Sequence, residues 1–513
     1  MEVSKQNICA LATAQGPGAI GIIRLSGPDT IDIVDGIFVP AGGSTAASSC
    51  GDPAEVGGAG LKVASLKETP AYKMRFGSIY KGDKLLDEVL VAVFRAPLSY
   101  TGENSVEIYC HGSSYILQEV LMLLISNGAR MAEPGEFSKR AFLNGKLDLA
   151  QAEAVADVIS SETASAHTVA MQQMKGGFSN ELKEMRDGLL NLVSLMELEL
   201  DFSEEDVEFA DRGQLFILLD EINCKITSLI DSFSLGNAIK NGVPVAIVGA
   251  TNTGKSTLLN ALLGEEKAIV SNIHGTTRDV IEDTINLNGI VFRFIDTAGI
   301  RETKETIEMI GIERTYQKLR QASIVIMVLD ATRPEFFADA INNLSSRLNK
   351  NKQKLIILLN KAETITDTDS NFAPFTSEDI KDICGKGCSF AAQIESISML
   401  CKGADLSPLA HIPISAKQNK GIAPLKELLV STQSNLSLGA GNATLVTNVR
   451  HFEALREAQI SLDRVEDGLK SAIPTDLITQ DIREAMFHLG SIVGEINTDE
   501  ILGNIFGKFC IGK

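Results

Sequence analysis

Gly249-Ala-Thr-Asn-Thr-Gly254-Lys255-Ser256 stands directly after the apolar run 245–248 and directly before the helical pattern 257–263. Strand, glycine-rich turn and helix in that order, with the spacing GxxxxGK[ST], make a phosphate-binding loop. The glycines let successive backbone N–H groups curl around phosphate oxygens, and the helix N-terminus adds its partial positive charge. Lys255 then spans the outer phosphates and Ser256 offers a hydroxyl to Mg²⁺, with Asn252, Thr253, Gly254 and Thr257 in the same turn.

Working outward, the runs 291–295, 324–329 and 355–359 are short, apolar and separated by helical stretches. Such runs are buried parallel strands of an α/β sheet. Asp296-Thr-Ala-Gly299 closes the first of them, placing a carboxylate where it holds Mg²⁺ through water and a glycine N–H near the terminal phosphate. Between the two pieces, Gly275-Thr276-Thr277-Arg278-Asp279 offers Thr277 as the second hydroxyl ligand of Mg²⁺, in a loop that loss of the γ-phosphate would release. Asn360-Lys361-Ala362-Glu363 closes the run 355–359, and Ser415-Ala416-Lys417 follows the strand expected at 412–414. These two segments resemble the base-reading elements of GTPases. An Asp usually accepts from guanine N1 and N2 there; Glu363 is one methylene longer, and as an acceptor for both donors it implies a reduced but retained preference for GTP. The other reading of Glu363 is an acid at a helix start. Ile300 follows Asp-Thr-Ala-Gly, so the water-positioning Gln of Ras-like enzymes is absent and another group, among the acids of 301–308, must order the attacking water.

The remaining segments differ in character. Residues 8–112 are mostly strand-like, at 20–25, 74–80, 86–94 and 106–110, with a helix at 115–125 and a Gly/Ala/Ser-rich loop or insertion at 40–70. From Leu149 onward Ala152, Val155, Ala156 and Ile159, then Leu189, Leu192, Leu195 and Met196, recur at helical spacing. After the Ser/Gly/Asn-rich linker 431–442 the helical period returns with Leu477, Ile478, Ile482, Ala485, Met486, Leu489, Ile492, Val493 and Ile496. The expected architecture is multidomain, α/β and α+β: an N-terminal α+β domain (1–147), a discontinuous helical domain (148–240 and 434–513) and a Ras-like P-loop G domain (241–433) inserted into it.

Composition sets the outer bounds. The 513 residues suffice for about three domains, and 44% hydrophobic with 22% charged residues is ordinary globular composition, neither disordered nor fibrous. Lys+Arg 47 against Asp+Glu 66 leaves a net charge of −19, and no dense basic run appears, so an RNA partner needs local basic patches or a second protein. No apolar run approaches the roughly 18 residues of a membrane span, and the N-terminus lacks a signal-peptide pattern. The expectation is a soluble cytoplasmic protein. The eight cysteines, at 9, 50, 110, 224, 384, 388, 401 and 510, are scattered and read as reduced thiols; 384, 388 and 401 lack a fourth metal ligand at usable spacing.

Several stretches together are similar to one family. Residues 270–279, 296–301 and 310–314, Gly21-Ile-Ile-Arg24-Leu-Ser-Gly27, Tyr100-Thr-Gly-Glu-Asn, Cys110-His-Gly112, the block 133–153 and the ending Phe509-Cys510-Ile-Gly-Lys513 resemble the TrmE (MnmE) family of tRNA modification GTPases, within the TrmE-Era-Septin class. The block 133–153 and the Cys-Ile-Gly-Lys ending are far more specific than the shared P-loop motifs, and the likeness covers nearly the whole chain.

The resemblance implies the rest. Glu308 falls on the acid that orients the attacking water through another water; Asn252, Ser271, Ile273 through its backbone and Thr276 fall on the potassium ligands. An ion there supplies the positive charge that an arginine finger supplies elsewhere, so hydrolysis should run faster in K⁺ than in Na⁺. Ser271 replaces a more usual Thr and keeps the hydroxyl. The family's N-terminal domain forms a homodimer and binds 5-formyl-tetrahydrofolate or methylene-tetrahydrofolate, with Arg24, read at a strand end, Glu107, Lys146 and Lys513 at the folate positions. Cys510 reads either as a nucleophilic thiol, with Lys508 and Lys513 nearby to lower its pKa, or as a lining residue of the folate site. With the FAD-containing protein MnmG, in a heterotetramer, the family places an aminomethyl or carboxymethylaminomethyl group on carbon 5 of the tRNA wobble uridine. GTP, Mg²⁺ and K⁺ drive the conformational cycle, and tRNA contact falls mostly to the partner. Two other readings are a GTP-controlled binding switch in ribosome assembly and a folate-dependent transferase whose G domain only regulates.

Overall fold

The computed structural model describes residues 6–41, 65–201, 212–264, 283–295, 319–350, 353–364, 374, 391–433, 444–471, 473–495, 499–507, 509 and 512. Packing divides the chain into one unit of Met1–Ser160, Met171–Cys224 and Ala454–Lys513, and another of Ser161–Ala170 and Lys225–Glu453.

In the first unit, alternating apolar and polar residues build strands β1 (Asn7–Leu11), β2 (Ile20–Ser26), β3 (Phe38–Pro40), β4 (Lys73–Lys81), β5 (Lys84–Phe94), β6 (Ser105–His111) and β7 (Ala129–Met131). Among the described residues they form one sheet in the order β3-β4-β5-β6-β2-β1-β7, antiparallel except for the β1–β7 pair. Ile23 and Leu25, Val89, Val91 and Val93, Val106 and Ile108 point to one face. Helix α1 (Thr30–Asp35) and helix α2 (Ser114–Ser126) supply Ile31, Val34, Leu117, Val120 and Leu124 to the same core. The opposite face carries Ile22, Arg24, Glu107 and Tyr109, with exposed Met74, Phe76 and Leu90 on β4 and β5. Helix α3 (Glu136–Leu143) follows β7.

Next come α4 (Leu149–Ser160), α5 (Ala164–Met174), α6 (Gly177–Asp201) and α7 (Arg212–Asn241). On α6, Leu182, Met185, Leu189, Leu192 and Met196 are buried at three- and four-residue spacing, which makes one continuous apolar stripe.

In the second unit the strands are β8 (Val243–Val248), β9 (Asp283–Leu287), β10 (Ile290–Ile295), β11 (Ile324–Asp330), β12 (Lys354–Asn360) and β13 (Ala410–Pro413). Their order is β13-β12-β11-β8-β10-β9, parallel except for β9 against β10. Both faces are covered, so all seven residues of β11 are buried: Ile324, Ile326 and Val328 meet Leu258 and Leu262 of α8 (Lys255–Leu263) on one face. On the other, Val325, Met327 and Leu329 meet Phe337 and Ile341 of α9 (Phe337–Ser345) and Ile394 of α10 (Ala391–Gly403). Helix α11 (Ile422–Ser431) adds Leu425 and Leu429 to the first face. The chain ends with α12 (Val449–Lys470), α13 (Thr475–Val493) and α14 (Asp499–Phe506). Ile478, Ile482, Ala485, Leu489 and Ile492 of α13 are buried where α13 packs along α6, both within the first unit.

The structure departs from the sequence reading in four places. The G-domain sheet is mixed, because the edge strand β9 runs antiparallel; the signal was Asn288-Gly289, with φ of 50° and 83°, the pair that closes a tight hairpin. The helical pattern through Ile496 stops at Val493, where Gly494 takes φ 91°, and α14 starts afresh at Asp499. Arg24 lies in the middle of β2 rather than at a strand end. The loop 40–70 contains a short 3₁₀ turn, Leu66–Glu68, while its residues 42–64 lie outside the described residues.

Candidate functional site

The carboxyl ends of the parallel strands β8, β11, β12 and β13 lie along one edge of the sheet, and the chain that follows β8 pairs on both sides of it, β10 on one and β11 on the other. In an open α/β sheet this reversal is where a ligand crevice forms. The loop 249–254 leaves β8 at that point and enters α8 with Lys255 as its first residue. Gly254 adopts φ 95°, and a Cβ built on it would lie 2.1 Å from Asn360 Nδ2. Only glycine fits both the left-handed backbone and that approach. Asn252 also has positive φ, 64°, a conformation that Asn tolerates better than most residues.

Asn360 joins three segments. It is 3% exposed; its Nδ2 donates to Thr253 O at 2.7 Å and its Oδ1 accepts from Ala416 N at 3.1 Å. One buried amide thus ties the phosphate loop to the Ser-Ala-Lys loop. That second loop is itself closed by Ser415 N to Lys420 O at 3.0 Å and Lys420 N to Ser415 O at 3.1 Å. Lys361, with φ 63°, places Nζ 2.6 Å from Asp330 Oδ2 at the end of β11, and Thr332 donates to Oδ1 from its N–H and its hydroxyl. Burial opposes the Asp330 charge, but the hydrogen bonds from Lys361 and Thr332 outweigh it and hold the carboxyl below its usual range. Glu363 follows in a 3₁₀ turn, and its Oε2 is buried with no hydrogen-bond partner among the described residues. An acceptor stripped of water in this way is costly unless a ligand donor meets it.

Lys255 Nζ donates to Gly249 O at 2.9 Å and Ala250 O at 2.8 Å, and burial lowers its pKa. The ammonium therefore lies folded into the very loop whose phosphates it would span. Thr253 is buried, Ser256 half-buried at the first turn of α8, and Asn252, Thr257 and Lys417 are exposed. Ser271, Ile273, Thr276, Thr277, Asp296, Gly299 and Glu308 lie outside the described residues, as do Cys510 and Lys513.

In the first unit, Arg24 and Glu107 face each other across the β2–β6 register. Arg24 Nε and Nη2 each lie 2.9 Å from Glu107 Oε1, and Tyr109 OH donates to Oε2 at 2.9 Å. The guanidinium also sits 5.6 Å from the Tyr100 ring centroid and 5.9 Å from that of Phe137, and its Nη1 donates to Gly512 O at 3.4 Å. Arg24 is thus a paired cation that also lies over two aromatic rings. Lys146 is exposed, with Nζ 3.0 Å from Pro97 O. Tyr100, Phe137 and Tyr109 were not singled out by sequence reasoning. The first two lie inside the quoted stretches Tyr100-Thr-Gly and 133–153, so the signal was present without a role attached.

A phosphate loop at the end of a central strand, stitched by Asn360 to the Ser-Ala-Lys loop, is the apparatus of a P-loop GTPase. Residues 149–510 match the MnmE helical domain family and residues 7–146 match the GTP-binding protein TrmE N-terminus family. The chain is 52% identical over 517 residues to the tRNA modification GTPase MnmE of Bacteroides fragilis, covering 100% of each, and 51% identical over 513 residues to that of Bacteroides thetaiotaomicron, again covering 100% of each. This chain belongs to the MnmE family of tRNA modification GTPases. The G domain of the Methanococcus jannaschii FeoB protein, 23% identical, covers 37% of this chain and 98% of its own length at a TM-score of 0.22, too slight a likeness to carry weight.

Proposed function

We propose that this protein hydrolyses GTP to drive the addition of an aminomethyl or carboxymethylaminomethyl group to carbon 5 of the wobble uridine of tRNA, together with the flavoprotein MnmG. The observation that carries the GTP half is the Asn360 tie between the phosphate loop and the Ser-Ala-Lys loop, three residues before Glu363, whose Oε2 has no partner among the described residues and suits guanine donors. The tRNA half rests on the relatives, which are tRNA modification GTPases and match this chain over 100% of its length.

Within this reading Asn252, Thr253, Gly254, Lys255, Ser256, Thr257 and Ser271 surround the phosphates, Thr277, Asp296 and Gly299 the γ-phosphate, and Asn360, Lys361, Glu363, Ser415, Ala416 and Lys417 the base. The donor sets suit hard cations: Ser256 and Thr277 hydroxyls would hold Mg²⁺, and Asn252, Ser271, Ile273 and Thr276 oxygens K⁺. Held there, these cations would neutralise charge that develops on the phosphates during transfer. Lys255, released from Gly249 O and Ala250 O, moves onto the phosphate oxygens. Glu308 orients the attacking water. Folate fits Arg24, Glu107, Lys146 and Lys513 by its chemistry: the carboxylate of Glu107, beside its partner Arg24, accepts from pterin N–H groups, and the ammonium groups of Lys146 and Lys513 suit the carboxylates of the glutamate tail. It supplies the one-carbon unit, with Cys510 near it.

The domain limits 1–147, 148–240, 241–433 and 434–513 belong to the same proposal. So does a homodimer through the N-terminal sheet, for which the aligned row Phe76, Leu90, Tyr109 and Ile22 supplies an apolar surface. Among the described residues no helix is long and apolar enough to cross a membrane, in keeping with work on tRNA in the cytoplasm. The experiment is mass-spectrometric nucleoside analysis of bulk tRNA from cells with and without the gene. Loss of 5-aminomethyl-type wobble uridines is expected; an unchanged profile overturns the tRNA half and leaves a GTPase.

A further inference from the structure

The 96–104 segment touches two of the three cationic residues assigned above to the folate, Arg24 and Lys146. Its Tyr100 ring lies against the Arg24 guanidinium, and its Pro97 carbonyl receives Lys146 Nζ. It is fastened on its other side to α3 and the turn after it: Tyr100 OH meets Ser138 Oγ at 2.8 Å, and Asn144 Nδ2 donates to Thr101 O at 2.7 Å. Arg140, 3% exposed, donates from Nη1 to Glu103 Oε2 at 2.9 Å and from Nη2 to Glu136 Oε1 at 3.0 Å. The second ring on Arg24, that of Phe137, comes from α3 itself. The buried Arg140, with these bonds, therefore ties together the two elements whose rings lie over Arg24.

We propose that Tyr100 is a positioning residue of the folate site, fixing the Arg24 guanidinium against its ring and that of Phe137, and that Arg140 acts at one remove by locking Tyr100 in place through Glu103. The inference rests on the folate reading of this site. Its physical content is preorganisation. A guanidinium on a strand is a long, flexible group, and an anion or a pterin gains little from it unless its plane is fixed before the ligand arrives. Two aromatic faces fix the plane, since a cation over a ring is held by the ring's quadrupole. Glu107 fixes the direction by receiving both Nε and Nη2 on one oxygen. Tyr100 would then move affinity for the ligand without contributing a charge to it.

The test measures binding of 5-formyl-tetrahydrofolate to the full-length protein by calorimetry, for the wild type, Arg24→Ala, Tyr100→Phe, Tyr100→Leu and Arg140→Lys. Thermal melting is recorded on each sample. Tyr100→Phe keeps the ring and loses the bond to Ser138, and affinity within roughly threefold of wild type is expected. Tyr100→Leu loses the ring, and Kd should rise about tenfold. Added to Arg24→Ala, Tyr100→Leu should cause no further loss, because its effect passes through the guanidinium. Equal affinity for Tyr100→Leu and wild type, or a full additional loss in the Arg24→Ala background, overturns the proposal. Arg140→Lys should weaken binding in the same direction, through a fork geometry that lysine lacks. If Arg140→Lys melts too low to measure, the Tyr100 pair decides alone. A wild-type protein that binds no folate overturns the site reading itself, which is a different result from a wild type that binds and a Tyr100→Leu that binds equally well.

Discussion

The nucleotide crevice and the Arg24 site are built on different principles. In the crevice, function lives in backbone: Gly254 and Asn252 have positive φ, Lys255 is satisfied by loop carbonyls, and the key side chain, Asn360, bonds only main-chain atoms. In the Arg24 site, function lives in side chains from distant segments: Arg24 meets Glu107 across a strand pair, Tyr100 from a loop, Phe137 from α3 and the carbonyl of Gly512 near the C-terminus. Backbone sites demand particular residues at particular offsets, so they write a motif. Side-chain sites demand only that sheet register and helix packing bring compatible groups together. They tolerate many solutions and leave a fainter trace.

That contrast predicts where substitution hurts most. Gly254→Ala places a methyl group 2.1 Å from Asn360 Nδ2 in a left-handed backbone, breaking the crevice at its tightest point. The strain of about 2–4 kcal/mol should weaken GTP binding roughly 100-fold, read by fluorescent-nucleotide titration, and binding near wild type would mean that the loop opens to a different shape. Asn360→Ala comes next. It leaves Thr253 O and Ala416 N without their partner, and a loss of about 1–3 kcal/mol should raise KM for GTP by roughly 10-fold or more with melting little changed.

In the other region, the sharpest handle is acid. Burial alone would raise the pKa of Glu136, but hydrogen bonds from Arg130, from the Glu133 N–H and from Arg140 hold it below the usual range. The folded pKa lies below the unfolded value, so the stabilisation is complete above about pH 4.3 and is lost as pH falls through the folded value. Glu136→Gln should cost about 1–3 kcal/mol at neutral pH and flatten the acid limb of the unfolding profile. A limb as steep as that of wild type would place the acid sensitivity elsewhere. The smallest effect concerns base recognition. Glu363→Asp withdraws the carboxylate by one methylene and should tighten GTP a few-fold, of order 1 kcal/mol, while ATP stays a poor competitor for both proteins. ATP competing as well as GTP for the wild-type site would remove Glu363 from base reading.

Legibility followed the same division. The phosphate loop, its strand and its helix were readable because each of their requirements is local: period, glycine, lysine and hydroxyl all fall within residues 245–263. The parallel strands 245–248, 324–329 and 355–359 were readable because burial on both faces makes unbroken apolar runs. β9 escaped: it is a short edge strand carrying polar Asp283, Thr284 and Asn286, and an edge strand needs no such run. The break at Gly494 escaped because the apolar period continues on both sides of it. In the Arg24 site the charges were named through the likeness of neighbouring motifs, whereas Arg140, Glu103 and Tyr100 carried no pattern of their own. A buried arginine looks like any other in a chain with 47 basic residues.

By itself the sequence determined that this protein has a phosphate loop, an acidic base-side segment and helical stretches on both sides of an α/β unit, since local backbone geometry and burial period dictate residue type directly. Only the tertiary structure decided that Asn360 stitches the phosphate loop to the Ser-Ala-Lys loop, that Lys361 pairs with Asp330, and that Arg24 stands paired over two rings. Those facts depend on strand order and on register. Register is a property of two segments at once, set by how whole faces bury, and no single stretch of chain contains it.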